Sequence, residues 1–115
     1  MNFPVFLYES IDRNAIILRP KPPYYAWVNS LKDGRDVDER DENNIYLIRE
    51  MDSNEAIHRW VKRNFDKLFT NELNDWCTDE NQWPQKRTFA MFSKWFDVEV
   101  ASMILDLEDS EVTKE

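Results

Sequence analysis

Ring side chains dominate this chain: it carries five Trp, four Tyr and seven Phe among 115 residues, against one Gly, one His and one Cys. Aromatic residues bury large areas and build cores and adhesive surfaces, so the chain is equipped for a dense interior. The scarce residues are those on which nucleophilic, metal-dependent and phosphate-cradling chemistries depend. With a single imidazole, a single thiol and no glycine-rich loop, most of those chemistries lack their parts. At this length folding buries roughly two-thirds of the surface exposed by the unfolded chain, and one domain spanning 1–115 is expected.

Cys77 has no partner thiol, and a core of Trp and Phe needs no staple, which fits a reducing cytoplasm. The N-terminal stretch carries Pro4 and Glu9 but neither a basic segment nor a long apolar run, so it reads as neither a signal peptide nor a membrane span. The net charge is -8, and it is concentrated in two places. Residues 33–44 hold six acids and two bases, residues 106–115 hold five acids and one base, and the rest is balanced. Segments this charged, with few apolar residues, do not offset their ordering entropy. The acidic loop 33–44 and the tail 108–115 are therefore expected to be mobile. A calcium loop at Asp36, Asp38 and Glu42 is disfavoured, because Arg40 and Asp41 stand where a third ligand and a glycine are needed.

Along the chain, Ala15 to Arg19 is an apolar run ended by Pro20 and reads as a strand. Pro22 and Pro23 suit a first helical turn, and Tyr24, Trp27, Val28 and Leu31 then recur at helical spacing, with Gly34 as terminator. Ile45 to Arg49 predicts a second strand. Asp52 and Glu55 form a capping-box-like start to a long helix running from Ile57 past Trp76, whose drifting apolar arc predicts a break near Thr70. Thr88 is the expected cap of a further helix carrying Phe89, Phe92 and Phe96, and Val98 to Leu107 the closing strand, with Ala101, Met103, Leu105 and Leu107 alternating. An edge strand in FPVFLYE, turning back at SIDRN, completes the reading. The order β-α-β-α-α-β indicates an α+β fold, with a three- or four-stranded sheet packed with about three helices. A parallel pairing of the first two strands would require a right-handed connection. The main strands look apolar on both faces, so both faces are expected to be covered, by helices or by a second subunit.

The runs RNAIILRPKPPYYAWVNSL, YLI and DWCTDENQWPQKRTFAMFSKWFDVEVASMILDL resemble a family of small uncharacterised bacterial proteins. The likeness covers about residues 12 to 107, and its most specific part is W-x-x-D-E-x-x-W-P-x-x-R-T, from Trp76 to Thr88. No activity attaches to that family, so the resemblance implies a compact bacterial cytoplasmic protein and transfers no catalytic residue.

The segment from Trp76 to Arg87 is the candidate binding site. It holds Asp79, Glu80, Lys86 and Arg87 in an irregular tract with Trp76 and Trp83, the composition of an aromatic-walled pocket with a carboxylate and a guanidinium for orientation. The plainer alternative is that the two indoles pin a loop to the core while Asp79 and Glu80 cap it or pair with Arg87. His58 falls at the edge of the apolar arc and reads as a partly buried structural histidine. A Cys77–His58 dyad would need the helix between them to break near Thr70. Arg59, Lys62, Arg63 and Lys67 form a basic helix stripe, but the body is neutral and its extremities acidic, so nucleic acid is not an expected partner. The residues favour a non-catalytic protein-interaction module, self-association included, without metal, cofactor or membrane. A small-molecule binder with an aromatic pocket, and then a carboxylate-dependent enzyme, are the alternatives.

Overall fold

The computed structural model describes residues 9–31 and 43–115. In chain order the elements are β1 (Glu9–Ile11), β2 (Arg13–Pro20), α1 (Pro22–Ser30), β3 (Asn44–Arg49), α2 (Asn54–Asn74), a one-turn 3-10 helix (Glu80–Gln82), α3 (Phe89–Trp95), β4 (Phe96–Ala101) and β5 (Ile104–Asp106). This is an α+β fold with three α-helices. Of the expected edge strand FPVFLYE only Glu9 is described, as the first residue of β1, which continues through Ser10 and Ile11 where the turn was expected; the rest of FPVFLYE, Gly34 and residues 33–42 of the acidic loop lie outside the described residues.

The main sheet has the order β3-β2-β4, with β2 antiparallel to both neighbours. Among the described residues every strand pair is antiparallel, so the handedness condition does not arise. The predicted closing strand is divided in two at Ser102 and Met103. β2 pairs with β4 from Ala15↔Ala101 onward, whereas β1 pairs with β5 from Ile11↔Ile104 outward. Between these points one side of the ribbon has three residues and the other two, so a bulge bends a continuous two-stranded ribbon. Asn14, 2% exposed, ties the bulge together. Its Nδ2 donates to the Ser102 carbonyl at 3.0 Å, and its Oδ1 accepts from the Met51 amide at 2.6 Å.

All three helices pack on one side of the sheet, the side bearing Ile16, Leu18, Ile48 and Phe96. The aromatic abundance is spent mainly here. Phe69, Phe92 and Phe96 are fully buried, and their rings contact one another and Tyr24 with centroids 5.1 to 5.8 Å apart. Such contacts add to the transfer free energy of the buried rings. Helices alone do not cover both sheet faces: among the described residues none packs on the side bearing Ile45 and Leu47, which are 65% and 48% exposed.

Two helix details also differ from expectation. The cap of α2 is Ser53, not Asp52: the Ser53 backbone is extended and its Oγ accepts from the Ala56 amide at 3.1 Å, the standard reach from a cap to the third helical residue. The irregularity in α2 lies at Asn64 (φ -119°, ψ 17°), not near Thr70. Asn64 Nδ2 donates to the Trp60 carbonyl at 2.9 Å, competing with the helical ladder, while Thr70 bonds back to Asp66 inside a continuing helix. As predicted, Thr88 caps α3, accepting from the Met91 amide at 3.1 Å.

Candidate functional site

The segment from Trp76 to Arg87 is tied down at nearly every residue. Trp83 Nε1 donates to the Cys77 carbonyl at 2.8 Å, and Trp27 Nε1 of α1 donates to the Gln82 carbonyl at 2.9 Å. The Asp79 carboxylate caps the 3-10 turn, accepting from the Asn81 amide at 3.0 Å. Arg87 pairs with neither Asp79 nor Glu80. Its Nε and Nη2 donate to the two carboxylate oxygens of Asp66 on α2 at 2.7 and 3.2 Å, and Nη1 donates to the Pro84 carbonyl at 2.7 Å. The Asp66 hydrogen bonds, the nearby Asp66 charge and Glu80 raise its already high pKa. The guanidinium also sits 5.9 Å from the centre of the Trp83 ring.

Of the five predicted residues, Glu80, Trp83 and Arg87 line one open, mostly polar cavity of about 570 Å³ together with Asp66, Lys67 and Thr70. Trp76 and Asp79 are not among its lining residues. All five indoles of the protein are half-buried and packed against the core, so none stands free as an adhesive surface.

A buried acidic cluster escaped the sequence reading. Glu72 on α2 is 3% exposed, and its carboxylate accepts from the Tyr46 hydroxyl and from Asn44 Nδ2, the latter at 2.6 Å. Asn44 also reaches Asp75 at 3.1 Å, Asn71 donates to the Tyr46 hydroxyl at 2.8 Å, and the Tyr24 hydroxyl donates to the Glu72 carbonyl at 2.5 Å. Burial pushes the Glu72 carboxyl above its ordinary value, partly opposed by the Tyr46 and Asn44 hydrogen bonds. Burial, with the Glu72 charge beside them, raises the Tyr24 and Tyr46 hydroxyls as well. The available signal was position: Glu72 follows Leu68 by one helical turn and adjoins Leu73, on the apolar arc. The cluster joins α1, β3 and α2 through one satisfied network.

The third feature is the open face of the sheet. Strand alternation places Ala15, Ile17, Ile45, Leu47 and Ala101 on it. Met103, Leu105 and Leu107, between β4 and the tail and in β5, are also exposed, at 66%, 53% and 66%. Arg13 and Arg49, opposite one another in register, cross this face beside the Ala15 and Leu47 row. Asp97 and Glu99 stand at its other corner, with Glu99 3.2 Å from Arg19.

His58 is exposed rather than partly buried, because it falls beyond the edge of the buried stripe formed by Ile57 and Val61. The kink of α2 lies at Asn64 and the helix continues through Thr70, so the break near Thr70 that a Cys77–His58 dyad would need does not form. Among the described residues no group of three or more His, Cys, Asp or Glu side chains could hold a metal ion, and no helix is long and apolar enough to cross a membrane. Comparison with known proteins finds no matching family model, no matching curated protein and no matching solved structure.

Proposed function

We propose that this protein is a non-catalytic interaction module that associates with a second copy of itself through the open sheet face. The observation that carries the reading is the exposure of Ile45 and Leu47 on the sheet face away from the helices, with Met103, Leu105 and Leu107 exposed along the second ribbon. A small protein that leaves a contiguous apolar patch in water commonly uses it for contact. Self-association is favoured over an unrelated partner by the rows of the face, Ala15 with Leu47 and Ile17 with Ile45, which can meet the same rows of a second copy. A two-fold axis passing between the Ala15 and Ile17 rows sets apolar row on apolar row. Membership of the bacterial family resembled by the Trp76 to Thr88 segment, and a cytoplasmic setting consistent with one unpaired thiol, belong to the same proposal.

Sedimentation equilibrium tests it. The wild-type chain is expected to dimerise with concentration, and Leu47→Lys to be monomeric with unchanged circular dichroism. A wild-type chain that stays monomeric into the millimolar range would refute self-association.

A further inference from the structure

On the helical side of the sheet, away from the open face, α2, α3 and the β4 edge enclose a groove of about 450 Å³, a volume within the usual range for a small-molecule site. Its floor is apolar: Val61 and Phe96 are buried, and Phe89 and Val98 half-buried. Its α2 wall is basic, with His58, Arg59 and Lys62 all exposed along the rim. Among the described residues neither Arg59 nor Lys62 has a salt-bridge partner. Lys62 Nζ instead lies 5.8 Å from the centre of the Phe89 ring, over the groove floor. The one acid of the lining, Asp97, is on the opposite wall, 3.8 Å from Lys21 Nζ, so its charge is already countered. Ser93 offers a hydroxyl between the walls.

We propose that this groove binds a small carboxylate with an apolar body. An apolar floor takes the body of such a ligand by removing both surfaces from water. Arg59 and Lys62, without a carboxylate partner among the described residues, take the anionic head as charge-assisted donors. A cationic ligand would meet two like charges at the rim, and a wholly apolar one would leave both cations without a partner. The cavity beside Trp83 lacks this arrangement, since the guanidinium of Arg87 is occupied by Asp66 and the Pro84 carbonyl.

The test is a titration of the full nitrogen-15-labelled chain with phenylbutyrate, followed by amide chemical shifts and repeated with the uncharged isostere phenylbutanamide. The expected result is saturable shifts confined to the region of Arg59, Lys62, Phe89, Ser93 and Val98, with the amide binding about tenfold more weakly. The double variant Arg59→Gln, Lys62→Gln should lose about tenfold in affinity for the carboxylate while leaving the amide unaffected. Both positions are exposed, so the fold is not at stake in that variant. The proposal is overturned by no saturable shifts, by equal affinity for acid and amide, by an unchanged double variant, or by shifts centred on Trp83 or the open sheet face.

Discussion

Glu72 is the residue whose chemistry departs furthest from that of its type. Its carboxyl, raised by burial, holds its proton more tightly in the folded chain than in the unfolded one. A group shifted in this direction contributes stability that is fully present below the ordinary carboxyl value and lost as pH rises through the raised value. The stability of the wild type relative to Glu72→Gln is therefore expected to fall as pH climbs from about 4.5 toward neutrality, read from paired urea denaturation curves. A difference that is flat with pH, or one that grows, would show that the carboxylate is better accommodated than its surroundings imply. Arg87 makes the contrasting case: its three donors hold Asp66 and the Pro84 carbonyl while the plane lies near the Trp83 ring. Arg87→Ala should cost about 1–2 kcal/mol in unfolding free energy and increase the solvent exposure of Trp83 fluorescence. Arg87→Lys should recover only part of this, because an ammonium cannot bridge both carboxylate oxygens and the carbonyl at once.

Among the elements, α2 and the bent ribbon separate what local pattern can announce from what it cannot. The start of α2 was legible to within one residue. Asp52 and Ser53 are both competent caps, and only the extended backbone at Ser53 selects the second. Ser53→Ala is thus expected to lower stability by about 1 kcal/mol, whereas Asp52→Ala should change it by only a few tenths of that, both measured by thermal or urea unfolding. The irregularity of α2 was inferred from the drift of its apolar arc, but its place was not. Asn64 unwinds the helix through its own bond to the Trp60 carbonyl, and the same residue type elsewhere in a helix can point to water. The ribbon bulge depends on Asn14, which meets groups 37 and 88 residues away in sequence. Asn14→Ala leaves the Met51 amide and the Ser102 carbonyl without that partner, and a cost of about 1–3 kcal/mol is expected in the same unfolding measurement.

For the whole molecule, the arrangement is two layers: one three-stranded sheet and three helices on a single side of it. Its size allows one aromatic core, and that core takes the helical side. What remains is a sheet face with apolar side chains on all three strands, on which the proposed self-association rests. The same asymmetry predicts that a polarity-sensitive dye such as anilinonaphthalene sulfonate will bind wild-type monomer at low concentration and lose signal on dimerisation. A parallel signal from Leu47→Lys, which should stay low and independent of concentration, checks the assignment of the patch.

Composition and local pattern were enough to specify the class of the fold, its three helices, the capping of α3 at Thr88 and the strands around Ile16, Leu47 and Val98. These follow from interactions between residues a few positions apart: the periodicity of burial, proline at helix starts, hydroxyls at caps. The partner of Arg87, the burial of Glu72, the single-sided packing of the helices and the outward turn of Leu105 depend on residues distant in the chain. A strand apolar on both faces carries no mark of which face its helices will choose. That choice is made by the volume of the aromatic cluster at Phe69, Phe92 and Phe96, which can be filled on only one side of so small a sheet.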